Sequence, residues 1–152
     1  MSMTYRIQKF SSIHLDRFIF RPEDLAAFKA VDNLIDNLVY TLNKDISFSL
    51  IKDEHVVFII SFDLLWSGVA KVWGVVNASF LNLTFPIFRY SSYIIYKMIT
   101  YYNLHRLQCN IISTFYKSRR MMKFLGFKKE ATLYNYGPDK ETYIQYSRII
   151  NG

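Results

Sequence analysis

The run Lys117-Ser118-Arg119-Arg120-Met121-Met122-Lys123-Phe124-Leu125-Gly126-Phe127-Lys128-Lys129 holds six basic residues and no acid. Such a run attracts phosphates of any kind, whether of nucleic acid, a lipid headgroup or a phosphorylated cofactor. It is equally what a solvated helix face running into a strand looks like. Cys109 is the single cysteine, so no internal disulfide can form. It stands in the apolar stretch Arg106-Leu107-Gln108-Cys109-Asn110-Ile111-Ile112, where a cysteine acts as a small hydrophobe, and nothing beside it would lower its pKa toward a reactive thiolate. Of the three histidines, His55 reads as a turn residue, His105 as the start of a strand and His14 as a solvent-facing loop residue. No residue is assigned to a metal.

The elements that must position these groups follow from composition and periodicity. The chain has 152 residues, enough for one domain and too short for two ordinary ones, and residues 1–152 are read as a single domain without a linker or repeat. Hydrophobic residues make up 51% and aromatic residues 18%, which excludes a disordered polypeptide. The net charge is +7. The N-terminal Met1-Ser2-Met3-Thr4-Tyr5-Arg6 lacks the apolar core of a signal peptide, and the apolar runs are far below membrane-spanning length.

Residues 4–10 alternate as a strand, with Tyr5, Ile7 and Lys9 on one side. Arg21-Pro22-Glu23-Asp24 starts a helix, and Leu25, Phe28, Leu34, Leu38 and Leu42 continue it at helical spacing as one helix or two. A hairpin over residues 46–62 turns at Lys52-Asp53-Glu54, and a third central strand covers residues 70–76. Residues 89–102 read as a helix with the stripe Ile94, Ile95, Met98 and Ile99. A strand over 107–112, a short helix over 118–125 closed by Gly126, and strands over 130–136 and 142–149 joined at Gly137-Pro138-Asp139 complete the chain. This order predicts an α/β (α+β) fold: a mixed, mostly antiparallel sheet of about six or seven strands, one β-α-β crossover, and helices on both faces.

The element order, with Asn103-Leu104-His105-Arg106-Leu107-Gln108-Cys109-Asn110-Ile111 and the segment Met121 to Ala131, resembles the GNAT superfamily of acyl-CoA-dependent N-acetyltransferases. Leu125-Gly126-Phe127, followed by Lys128-Lys129-Glu130, is similar to the family's closing motif. The resemblance implies that the fourth strand parts from the fifth and that acetyl-CoA lays its pantetheine arm along the fourth strand. It also implies that the pyrophosphate rests on amides at the start of the next helix. On this chain those positions are Trp73, Val75 and Val76 on the strand and Arg89, Tyr90, Ser91 and Ser92 at the helix start. Ser91 or Ser92 would also serve as an N-cap alone.

The departures from the family pattern are specific. Residues 77–92 contain no glycine, although glycines normally let a phosphate approach the backbone there. Many members place a tyrosine four residues before the glycine of Leu-Gly-Phe to protonate the departing thiolate; here that position is Met122. Phe115 stands where an asparagine commonly precedes that helix, and no carboxylate lies on the fourth strand. No catalytic residue is assigned. His14 falls in the loop where family members often bind the acceptor. The spacing from Trp73 to Gly126 and the aromatic-rich helix are also similar to a small GNAT-like internal virion protein of short-tailed bacteriophages.

Three readings follow. An acyltransferase would pass the acetyl group of acetyl-CoA directly to an amine by positioning and carbonyl polarisation. A GNAT-shaped structural or interaction protein would bind no cofactor and use its aromatic surface for a protein partner or for self-association. A nucleic-acid binder would draw on charge and stacking. The first two differ at residues 77–92. The enzyme requires free amides near Arg89–Ser92, whereas Phe80, Leu83, Phe85, Ile87 or Phe88 would block that site in the interaction protein. The expected location is the cytoplasm or a virion, with no membrane association.

Overall fold

Serine alternating with large apolar residues in Ile46–Lys52 gives a strand with two chemically distinct faces, and this is β2. The computed structural model describes residues 4–27 and 33–151. Around β2 the order is β1 (Tyr5–Lys9), a one-turn helix (Ser12–Leu15), α1 (Pro22–Ala27), α2 (Leu34–Lys44), β2, β3 (His55–Trp66) and β4 (Val69–Val76). After another one-turn helix (Ala78–Phe80) come α3 (Thr84–Tyr102), β5 (Arg106–Ile112), α4 (Tyr116–Phe124), β6 (Lys128–Leu133) and β7 (Tyr143–Ile149). The seven strands order as β1-β2-β3-β4-β5-β7-β6. β1/β2, β2/β3, β5/β7 and β6/β7 run antiparallel, and β4/β5 is the parallel pair that the β4-α3-β5 crossover requires. The mixed, mostly antiparallel sheet expected from the sequence is therefore present. The β4/β5 ladder covers only Val69, Ala70 and Lys71 opposite Arg106, Leu107 and Gln108, although both strands continue beyond it.

Contacts gather the chain into two compact units. The first comprises residues up to Asp63 with Trp73–Tyr90; the second comprises Leu64–Val72 with Ser91 onward. In the first, Phe10, Phe18, Leu38, Leu42, Ile59 and Val75 form one buried cluster, and Leu50, Val57 and Ile87 form another. A register shift opposite Leu50/Ile51 separates them on β3. It places the successive residues Val57 and Phe58 with the second cluster while Val56 and Ile59 join the first, the signature of a β-bulge. In the second unit Ile94, Ile95 and Met98 of α3, Leu107 and Cys109 of β5, and Ile144 and Tyr146 of β7 are buried.

The ends of elements follow local chemistry. Asp53 and Glu54 both take left-handed conformations, which a two-residue hairpin turn demands, and Glu54 pairs with Arg6 on β1. Asn103, also left-handed, closes α3. At α4 the amide of Gly126 donates to the carbonyl of Lys123 at 3.1 Å and that of Phe127 to Met122 at 2.9 Å, a full Schellman closure with Gly126 at φ +88°.

Several expectations need correction. The helix read as 89–102 begins at Thr84, because Pro86 sits in its first turn, where the missing amide hydrogen is no loss. The strand read as 130–136 runs Lys128–Leu133, since the chain turns directly into it after the cap at Gly126. Leu25, taken as part of the apolar stripe, is 44% exposed, whereas Leu38 and Leu42 are buried; Phe28 lies outside the described residues.

Candidate functional site

The second half of β4 belongs wholly to the first unit. Val75 is 1% exposed inside the cluster of Phe10, Leu38, Leu42 and Ile59, and Trp73 packs against the same cluster. Val76 turns the other way and packs with Leu50, Val57 and Ile87, as alternation along a strand requires. Gly74 between them is exposed, yet a Cβ there would come within 2.7 Å of the Phe58 ring. A side chain at this position requires the Phe58 ring to shift.

A chain of polar groups crosses the first unit beside Trp73. The indole Nε1 of Trp73 donates to Asp45 Oδ2 at 3.5 Å, Ser61 Oγ donates to the same oxygen at 3.3 Å, and Ser61 Oγ meets Ser47 Oγ at 2.8 Å. Ser47 and Ser61 lie directly opposite each other in the β2/β3 register, and both are buried. Burial raises the Asp45 pKa; the hydrogen bonds from Trp73 and Ser61 and the charge of Lys44 pull it down, and the charge of Asp63 adds to the rise. A carboxyl poised this way can accept or release a proton nearer neutrality than a free one. No motif could have disclosed it, since Asp45, Ser61 and Trp73 are far apart in sequence.

Also in the first unit, His14 is half-buried and bonded, which corrects its reading as a solvent-facing loop residue. Its Nδ1 accepts the Ser11 amide at 3.1 Å and meets the buried Ser49 hydroxyl at 2.8 Å. Because Nδ1 accepts from a backbone amide, the ring is neutral in this arrangement. Burial lowers its pKa, and the Arg6 charge lowers it further.

The start of α3 differs from expectation in the most consequential way. Arg89, Tyr90, Ser91 and Ser92 lie in the second and third turns of α3, not at its start. Helical amides beyond the first four donate to carbonyls four residues back, so none of these four amides is free for a ligand. Neither Ser91 nor Ser92 caps the helix. Tyr90 instead packs against the Leu50/Val57/Ile87 cluster and stacks on Tyr5 at 5.4 Å between ring centres, while Arg89 is exposed. Phe80, Leu83 and Ile87 are engaged in that same cluster; Phe85 is 71% exposed.

In the second unit, Ser91 is 3% exposed and its hydroxyl has no hydrogen-bond partner, as does Asn110 Oδ1 on β5. Met122, at the position of the family's acid, receives the Cys109 thiol at Sδ at 3.3 Å. Burial pushes the Cys109 thiol up to about 12, so it is inert near neutrality. Arg119 is turned inward, donating to the Tyr146 hydroxyl at 2.9 Å and to the Ser113 carbonyl at 2.7 Å. His55 and His105 are exposed; His55, read as a turn residue, is the first residue of β3, and His105 directly precedes β5. Among the described residues no group of histidine, cysteine or carboxylate side chains is arranged to hold a metal, and no helix is long and apolar enough to cross a membrane.

The chain superposes on solved acetyltransferases over nearly its whole length. A GNAT-family acetyltransferase from Bacillus anthracis matches at a TM-score of 0.76 and 15% identity, covering 98% of each chain. A ribosomal-protein-S5-alanine acetyltransferase from Vibrio fischeri matches at 0.74 and 17%, covering 98% of this chain and 97% of that one. A ribosomal-protein-alanine N-acetyltransferase from Brucella melitensis matches at 0.77 and 13%, covering 95% and 99%. No protein-family model and no curated protein matches the sequence. The likeness is one of fold: this chain has the fold of the GNAT acetyltransferases.

Proposed function

We propose that this chain uses the acetyltransferase fold as an interaction scaffold and does not turn over acetyl-CoA. One observation carries the reading: the first turn of α3 does not fit a pyrophosphate. The amides of a helix's first turn are its only unbonded ones. Here Pro86 has no amide hydrogen, and that of Leu83 is taken by the Phe80 carbonyl at 3.1 Å. Thr84 and Phe85 remain. No glycine between Gly74 and Gly126 lets a phosphate approach the backbone, and Arg89 is the single Lys or Arg between Lys71 and Lys97. The proton donor expected for the thiolate is a methionine already bonded to Cys109.

Protein contact or self-association through exposed aromatic residues is the partnership this scaffold implies, and a virion component is the form that the Trp73-to-Gly126 spacing resembles. Calorimetric titration with acetyl-CoA tests the proposal. No heat is expected up to high micromolar cofactor; a Kd on the order of 100 µM or tighter overturns it.

A second reading, direct acetyl transfer to an amine, is favoured by one observation within the first unit: Asp45, with its raised pKa beside Trp73, is placed to take an amine's proton. This reading places Trp73, Val75 and Val76 along the acyl donor and requires release of free CoA thiol in the presence of an amine. Asp45→Asn should then lower the rate at least tenfold.

A further inference from the structure

The basic run over residues 117–129 resolves into two kinds of cation. Arg119 is structural, spent on Tyr146 and Ser113. Lys117, Arg120 and Lys123 on α4 and Lys128 and Lys129 on β6 are all exposed, and none forms an ion pair among the described residues. The acid that follows them, Glu130, is held by Arg106 in a two-pronged pair at 2.6 and 3.1 Å, so its charge is already met.

Two large rings share that surface. Tyr116 and Phe124 are each 71% exposed. At 100° per residue, Tyr116, Lys117, Arg120, Lys123 and Phe124 fall within one sector of about 120° on α4. The Arg119 guanidinium lies 5.7 Å from the Tyr116 ring centre and helps hold that ring in place. β6 is the edge strand of the sheet; Lys129 on it stands opposite Tyr146, whose hydroxyl takes the Arg119 guanidinium, and so shares the α4 side, while Lys128 points to the other face.

From these observations we infer that the outer face of α4 and the start of β6 bind a single-stranded nucleic acid. Cations at this spacing follow a phosphate backbone, and the rings at each end stack on unpaired bases, whose flat faces a duplex does not offer. The binding is sequence-tolerant, because every base has a face to stack. The inference stands on the second unit's surface alone and is independent of whether acetyl-CoA binds.

Fluorescence anisotropy with a labelled 20-nucleotide oligothymidylate tests it, with labelled heparin as a polyanion that has no bases. The full chain should bind the oligonucleotide at 50 mM salt. Four contacts of this kind should weaken binding by about 50-fold on going to 200 mM. Arg120→Glu with Lys123→Glu should weaken both ligands at least about tenfold, whereas Lys9→Glu with Lys97→Glu, the same charge change elsewhere, should shift neither more than about threefold. Tyr116→Ala with Phe124→Ala should weaken the oligonucleotide about tenfold and leave heparin unchanged. If that double variant loses its cooperative thermal melt, Tyr116→Ala alone takes its place.

Four results overturn the inference: no binding at 50 mM salt, equal loss from the two charge-reversal pairs, equal loss of heparin and oligonucleotide on removing the rings, and equal affinity for a duplex of the same length.

Discussion

The end of α4 and the start of α3 occupy comparable places in the acetyltransferase fold, each a helix terminus beside a strand, and they have fared differently. At the end of α4, Gly126 adopts the left-handed conformation, both Schellman hydrogen bonds form, and Leu125 and Phe127 are 5% and 2% exposed. At the start of α3 a proline removes one amide, a carbonyl takes another, and Phe85 projects into solvent. The difference separates two kinds of demand. Residues that close a helix and fill a core are held in place by folding itself, whereas a cradle for a phosphate is held only by the need to bind one.

Substitutions can break or sharpen that contrast. The largest effect is expected at Phe127: replacing it with alanine should cost about 3–5 kcal/mol, while Phe85→Ala should stay within about 0.5 kcal/mol, both measured by urea unfolding. Comparable losses at the two sites would mean that the α3 start is as structural as the α4 end. Gly126→Ala should lose about 1–2 kcal/mol from the left-handed backbone alone, because a Cβ there meets Arg148 at no less than 3.5 Å. A neutral outcome would show that the cap can relax.

Further into α3, Ser91→Ala removes a buried hydroxyl with no partner and should raise stability by about 1 kcal/mol. Destabilisation would show that the hydroxyl is satisfied after all.

The smallest effect concerns pH. Neither helix end holds a histidine, so the acid response near neutrality is assigned to His14 on the first unit. Its folded pKa lies below the ordinary 6.5, through burial first and Arg6 second, so between the two values the unfolded chain binds more protons. Stability should be flat above about pH 6.5 and fall as the pH drops below it, and His14→Gln should flatten that step in a series of pH-dependent melts.

Much of the fold was legible because it is written in short-range patterns. Serine alternation marked β2, Lys52-Asp53-Glu54 marked a hairpin turn, and Leu125-Gly126-Phe127 marked the close of α4. The candidate site was much less so. Pro86 suggests a loop to a reader of sequence, since proline breaks helix interiors, but in a first turn it is tolerated, and this moved the start of α3 by five residues. His14 looked solvated because it stands in a loop before a helix start; Ser49, which meets its ring, is 35 residues away.

Periodicity and capping chemistry alone therefore determined which segments are helix or strand, where α3 and α4 end, and that the sheet contains a parallel crossover pair. These depend on neighbours within a few residues and on one face being apolar. Tertiary structure alone decided that Asp45 meets Trp73, that a bulge divides the faces of β3 at Val57, and that one of six clustered cations turns inward while five face solvent. Contacts of that kind arise from the packing of distant segments, and no local rule encodes which side chain a folded chain will bring to another.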